Sequence, residues 1–175
     1  MRQTLYYVLK SLALVLKAVF GRDAYMSVIV RAHKLRGVQF TGVPRYLDSN
    51  IMLDPSGGLA IGRNVVISTN VIILTHDYSI TTAMAAGGNR PKKDHAILAP
   101  VVVGDNCFLG AGVIVLPGTT IGKNVIIGAG SLALGCIPEN SVVAGNPARV
   151  IRSVDSWLER KMDLPKGHKC FVDKD

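Results

Sequence analysis

The sequence predicts an all-β protein: a parallel β-helix, with helical segments before and after it and one loop extruded from it. Three observations carry that prediction. Val103, Leu109, Val115, Ile121, Ile127 and Ala133 fall at steps of six. The residue two before each is small or β-branched: Val101, Cys107, Val113, Thr119, Val125 and Ser131. Glycine follows the aliphatic residue at 104, 110, 122 and 128. A plain strand repeats at two and an α-helix at 3.6, so neither accounts for six. Hexapeptide repetition is the mark of a parallel β-helix. Each hexad makes one short strand and one corner, and three hexads close a triangular coil. The aliphatic side chain points inward and stacks on its copy one coil away, and the small residue sits at the corner. Gly and Asn suit a corner backbone that needs φ > 0. One coil cannot bury its own face, so neighbours must stack.

Bulk composition agrees. The chain has 175 residues, is 49% hydrophobic and only 6% aromatic, as a core of stacked Val and Ile requires. Mean hydropathy is +0.32. Net charge is +8, with a pI of about 9.6. That charge favours anionic lipid or a phosphorylated cofactor. Nucleic acid is not expected as a partner, because basic stripes interleaved with aromatics are absent. Cys107, Cys136 and Cys170 have no paired spacing. Cys107 and Cys136 read as small core or corner residues, and the pattern fits a reducing, cytoplasmic compartment without a metal cluster.

Residues 1–36 form an expected N-terminal helical segment. In 1–20 (MRQTLYYVLKSLALVLKAVF), Gln3, Lys10 and Lys17 recur every seven and most of the remaining circumference is apolar. The two lysines make it a poor transmembrane span, and it lacks a signal-peptide cleavage pattern. Two readings stay open: a helix packed on the body or on a neighbouring subunit, and an interfacial helix giving a peripheral membrane contact with lysines toward headgroups. Gly21 ends this helix, and residues 22–35 read as a second one, with His33 at its surface.

From residue 37 to 152 runs the expected β-helix domain. Its opening coils read as irregular. Ile61, Ile67 and Ile73 then fall into register. Residues 77–99 fit no hexad and read as the extruded loop; a loop this long in a compact repeat is usually functional. Pro138 and Pro147 bound the last coil. Residues 153–175 form a C-terminal helix and tail. Ser153 is the expected N-cap, Asp155 lies in the first turn and Pro165 follows the stop.

His76, in ILTHDYS, is the leading candidate for chemistry. It stands at the end of a clean coil and at the mouth of the loop. A neutral imidazole there can take a proton from a hydroxyl near pH 7. Asp77, or an acid from another coil such as Asp54, would orient it. His95, beside Asp94 in the loop, is a candidate substrate contact. His76 and His95 lack metal-ligand spacing, so no metal is expected. There is no phosphate-binding GKS loop and no dinucleotide fingerprint; Gly110-Ala111-Gly112 reads as a corner. Arg149 and Arg152, in NPARVIR, are spaced to suit a phosphate or to form a solvated basic tail.

Together the hexads, THD, the long loop and AGNPARVIR resemble the hexapeptide-repeat acyltransferases, the family that includes galactoside and maltose O-acetyltransferases and bacterial polysaccharide acetyltransferases. The resemblance covers about residues 50–152. It implies a left-handed coil, a homotrimer with sites between subunits, acetyl-CoA as acyl donor and His76 as catalytic base, with Asp77 its neighbour. It places Ala111, Ala129, Leu134 and Gly135 along the cofactor arm, the last two where the family often has Thr-Lys. Arg149 and Arg152 match basic residues near the CoA phosphates. Phe108 takes the place of an aromatic lining the site, and Asn50, Asp54 and His95 fall near acceptor-binding positions. IMLD is similar to serine acetyltransferase, but Pro55 follows where a His would stand, which argues against that activity. The expected function is O-acetylation of a hydroxyl on a saccharide or polysaccharide precursor. N-acetylation of an amino sugar, serine-type O-acetylation and a non-catalytic β-helix scaffold are the alternatives. The expected location is the cytoplasm, with membrane association left open.

Overall fold

A hexad leaves room for only two or three extended residues, and every strand up to residue 137 has that length. The computed structural model describes residues 2–163, and its strands line three faces of a prism. The first face stacks β1 (Gln39–Phe40), β4 (Leu59–Ile61), β9 (Val101–Val103), β12 (Thr120–Ile121) and β15 (Cys136–Ile137). The second stacks β2 (Tyr46–Leu47), β5 (Val66–Ile67), β10 (Phe108–Leu109), β13 (Ile126–Ile127) and β16 (Ser141–Gly145). The third stacks β3 (Met52–Leu53), β6 (Ile72–Ile73), β11 (Ile114–Val115) and β14 (Leu132–Ala133). All of these pairings are parallel. The expected inward residues, from Ile61 to Ala133, are all buried, and so are the small residues two before them. Fully burying one such Val, Leu or Ile stabilises by about 1.5–3 kcal/mol.

Register shows where the repeat is regular. Val102 pairs with Thr120, and Phe108 with Ile126, an 18-residue coil. Ala60 pairs with Val102, a step of 42 that contains the loop. The opening coil is in register too, with Tyr46 opposite Val66 and Met52 opposite Ile72, only slightly longer than 18. The last is shorter, Thr120 pairing with Cys136. That slip turns Cys136 outward and exposed, correcting its expected place in the core or corner. The final coil never makes a third face: β17 (Ala148–Ser153) folds back antiparallel on β16.

The corners divide the work between two residue types. Asn64, Asn106, Asn124 and Asn140 all hold φ of 55–58° at the corner between the first and second faces. Their side chains form a ladder: Asn64 Nδ2 donates to Asn106 Oδ1 at 2.9 Å, Asn106 to Asn124 at 3.0 Å and Asn124 to Asn140 at 2.8 Å. The glycine after each inward residue has another reason. A Cβ on Gly104 would lie 2.6 Å from the Gly122 carbonyl oxygen, and one on Gly122 the same distance from Glu139 N. Those glycines are demanded by the approach of one coil to the next; their φ is not positive.

The all-β prediction understates the helices. α1 (Arg2–Phe20) and α2 (Arg22–Arg36) pack together on the opening coil, where the Tyr25 hydroxyl donates to the Leu47 carbonyl at 2.7 Å. The stripe of lysines faces the body: Lys17 Nζ donates to Tyr46 Oη at 3.1 Å and lies over the Tyr25 ring, and Lys10 is half-buried. Lysines directed to headgroups are therefore corrected. His33 is buried between the two helices, against the edge of Tyr6, with neither ring nitrogen hydrogen-bonded. The expected surface position is corrected by α2, whose inner face is Tyr25, Met26, Ile29, Ala32 and His33. Inside the loop, α3 (Ser79–Ala86) is a helix that hexad counting could not show, and its flanks pair as β7 (His76–Asp77) and β8 (Ile97–Leu98). α4 (Val154–Met162) starts at Ser153, whose Oγ accepts from Ser156 N at 3.2 Å. Pro165, Cys170 and the expected tail lie outside the described residues.

Two outcomes follow. Gly104→Ala should lower stability by about 1–3 kcal/mol in thermal unfolding, because its Cβ meets the next coil's backbone. Burial, then the charges of Arg36 and Lys10, pushes the His33 pKa down to about 4. The unfolded chain, titrating near 6.5, binds the extra proton between those values, so stability is full above pH 6.5 and falls toward pH 4. Unfolding at pH 7 and at pH 4.5 should show His33→Leu losing about 2–3 kcal/mol less than the native chain.

Candidate active site

The corner between the third and first faces places His76. β6 ends at Ile73, Leu74 and Thr75 turn the corner, and the imidazole leaves the prism where β7 begins. One coil earlier the same corner carries Asp54, Pro55, Ser56 and Gly57. Stacking brings Asp54 Oδ2 to 2.6 Å from His76 Nδ1. The carboxylate is itself fixed. Ser56 Oγ donates to Oδ1 at 2.6 Å and Ser56 N at 3.0 Å, while Thr75 Oγ1 and N donate to Oδ2 at 2.7 and 2.9 Å. Burial pushes the Asp54 pKa up, but these hydrogen bonds outweigh it and hold the group well below the usual carboxylate range. An ionised carboxylate only accepts, so Nδ1 carries the hydrogen, and in the neutral imidazole Nε2 has the lone pair. The His76 side chain is 36% exposed, and among the described residues no group bonds Nε2, so that nitrogen faces outward. Tyr78 braces the ring edge-on, with centroids 5.3 Å apart.

Of the two acids considered from sequence, the structure therefore brings Asp54 to the ring. It gives Asp77 another task. Asp77 accepts from Ser79 N at 2.7 Å and from Ser79 Oγ at 2.9 Å, at the start of α3, and those bonds lower its pKa. Asp54 thus fixes the His76 ring, the second of the two places expected for it, beside that of an acceptor contact. Ser56, Thr75 and Tyr78 were missed, although Ser and Thr beside an Asp and a His are a readable signal once the coils are aligned.

The other expected residues distribute along the prism. Asn50 sits at the second-to-third corner, hydrogen-bonded to Asn70 and not to the dyad. His95 binds Thr81 through its backbone, donating N to Thr81 Oγ1 at 2.8 Å and closing the loop, while its side chain is exposed. Ala111 and Ala129 occupy that same second-to-third corner. Leu134 and Gly135 occupy the corner of His76, two coils further on. Phe108 and Arg152 meet in a cavity of about 490 Å³ on the second face, beneath Trp157 and Arg160 of α4. The Arg149 side chain is exposed, and its guanidinium donates to the Ala148 carbonyl at 3.0 Å. A second cavity, of about 410 Å³, joins Asp54 and Ser56 to Gln3, Leu35 and Arg36, so the N-terminal hairpin borders the acid of the pair.

A three-faced parallel coil of hexads is the architecture of hexapeptide-repeat proteins, and here one corner of it carries an imidazole held by a half-buried acid. The chain belongs to the hexapeptide-repeat bacterial transferase family: residues 100–132 match its six-repeat model, and the wider chain matches its members. It is 34% identical over 137 residues to the Escherichia coli protein named "Putative lipopolysaccharide biosynthesis O-acetyl transferase WbbJ", covering 76% of this chain and 70% of that one. It is 37% identical over 134 residues to the galactoside O-acetyltransferase of Lactococcus lactis, covering 77% and 60%. The first curated relatives are spanned over 51% to 70% of their length. Among solved structures, the maltose O-acetyltransferase of Clostridium difficile superposes with a TM-score of 0.52 at 27% identity, over 85% of this chain and 88% of that one. The Vibrio cholerae hexapeptide-repeat acetyltransferase VCA0836, solved with acetyl coenzyme A, superposes with a TM-score of 0.57 at 22% identity over 84% and 87%, a likeness of fold. Likeness to these hexapeptide-repeat structures implies a left-handed coil.

The dyad is checked by nitrogen NMR of the full chain above neutral pH. His76 should be the Nδ1–H tautomer in the native protein and in Asp77→Asn, and a mixture in Asp54→Asn.

Proposed function

We propose that the protein is an acetyl-CoA-dependent O-acetyltransferase acting on a hydroxyl of a saccharide or polysaccharide precursor, with His76 as general base. The observation that carries this is the Asp54–His76 pair at 2.6 Å, with Nε2 turned outward, in a chain of this family. Nε2 takes the acceptor's hydroxyl proton as its oxygen attacks the thioester carbonyl. The tetrahedral adduct collapses, the carbon–sulfur bond breaks, and the imidazolium returns the proton to the departing thiolate. Asp54, held ionised, stabilises the imidazolium between those steps. Such general-base catalysis contributes about 10²–10⁴-fold. Gln3 and Arg36, lining the cavity beside Asp54, supply hydrogen-bond donors of the kind a saccharide needs.

The donor's residues divide between two corners of one prism, Ala111 and Ala129 on one, His76, Leu134 and Gly135 on the other. A homotrimer, with the corner of one chain meeting that of the next, supports the use of both. The outward row of the third face, Met52, Ile72, Ile114 and Leu132, is apolar throughout and suits such contact. Arg152 and Phe108, sharing a cavity, fit a phosphate-bearing cofactor with an aromatic group. The cytoplasm, where acetyl-CoA is made, is the location this reading requires.

His76→Ala should lower turnover by about 10²–10⁴-fold while CoA binding changes little. Release of the CoA thiol, measured with matched hydroxyl and amine saccharides, checks both catalysis and acceptor class. Undiminished turnover in the variant sinks the base; reaction with amines alone makes the protein an N-acetyltransferase.

A further inference from the structure

An amphipathic helix normally turns its apolar stripe to the core and its charges to water. α1 does the reverse. Its inner face is narrow: Tyr6 and Ala13 are buried, and Lys10 and Lys17 are turned to the body with them. Leu5, Val8, Leu12, Val15 and Val19 follow one another at spacings of three and four, a single stripe along the outer face. They are 44–65% exposed, and Phe20, at the end of the helix, is 71% exposed. No Asp, Glu, Lys or Arg interrupts that stripe.

Charge sits at its end. Arg22 follows Gly21, the residue that closes α1. With Lys34 and Arg45 it rims a cavity of about 540 Å³ that also holds Met26 and Val43. Asp23 is the acid at that rim. Among the described residues, none of the three cations makes a side-chain hydrogen bond or ion pair. Val43 stands 79% exposed beside them.

We propose that the outer face of α1, together with the Arg22, Lys34 and Arg45 cluster, docks the protein flat on an anionic membrane surface. The apolar stripe enters the boundary between headgroups and acyl chains, and the three cations meet lipid phosphates. A flat pose follows from α2. By length and composition, Gln3–Phe20 could cross a bilayer, at a mean hydropathy of 1.3. α2 packs along it, however, and carries Arg22, Asp23, Arg31, Lys34 and Arg36, which a crossing would drag into the hydrocarbon. Charge also decides between a membrane and a second copy of this chain. A second copy of this chain, itself carrying a net charge of +8, offers no excess of negative charge to the three cations, whereas anionic lipid supplies it. The expected basic contacts thus come from the start and end of α2 and the first corner, and not from the lysines of α1.

Cosedimentation of the full chain with vesicles tests this, using phosphatidylcholine alone and phosphatidylcholine mixed with phosphatidylglycerol, at low and raised salt. The native chain should bind the mixed vesicles, and salt should weaken the binding. Val8→Glu with Val15→Glu should reduce binding by about tenfold or more. Arg22→Glu with Arg45→Glu should bring binding to mixed vesicles down to that for neutral ones. Thermal unfolding and turnover on a soluble acceptor should be unchanged in both variants. The proposal is overturned if the folded native chain does not bind the mixed vesicles, or if the double-Glu variant of α1 binds like the native chain. It is equally overturned if that variant changes the number of associated chains and leaves vesicle binding intact, which would make the stripe an interface between copies.

Discussion

Backbone hydrogen bonding from each coil to the next is the interaction on which this structure depends. Bonds such as Val66 N to the Cys107 carbonyl and Phe108 N to the Val125 carbonyl run along the prism axis at 2.8–2.9 Å. They set the rise per coil, and the rise sets what the corners tolerate. Where coils meet backbone to backbone, as at Gly104 and Gly122, no Cβ fits. Where the chain must turn with positive φ, asparagine both adopts it and bonds its copy on the adjacent coil. The aliphatic stack inside supplies most of the stabilisation, but it is the axial bonding that forces residues at equal positions into contact.

The dyad is a product of the same constraint. Asp54 and His76 lie 22 residues apart and meet because one coil separates them. Their neighbours follow that logic: Ser56 comes from the lower coil and Thr75 from the upper, and both donate to the carboxylate between them. The glycine at 57 belongs to it as well, its N–H donating to Thr75 Oγ1 at 2.8 Å where a side chain would collide with the Thr75 carbonyl. His76 is thus mounted at a corner of the hydrogen-bonded prism, while the loop begins immediately after it. Asp77, the next residue, has already left the prism, and its carboxylate accepts from Ser79 at the start of α3.

This explains which features were legible. The inward rows were readable because a period of six survives any local irregularity, and the structure buries every member of them. His76 was readable as the last residue of a clean coil. Its acid was not, since choosing Asp54 over Asp77 required the length of the opening coil, which departs from 18. α3 was hidden because counting hexads says nothing about a segment that has none. His33 and the two lysines were misplaced for one reason: both depend on which side of a two-helix hairpin rests on the body. Helical periodicity defines the sides of α1 but not which of them rests on the body, and here it is the side of Tyr6 and Ala13, from which Lys17, still exposed, reaches Tyr25 and Tyr46.

The central claim is that one chain offers the imidazole on one corner while a second chain completes the site from another. Subunit complementation measures this most directly. Two variants are each made inactive, His76→Ala by loss of the base and Ala129→Arg by obstruction of the other corner, and the chains are then mixed and reassembled. The account predicts that the mixture recovers turnover, because some contacts pair an intact His76 with an intact Ala129 from different chains. A mixture that assembles into trimers and stays inactive would contradict it.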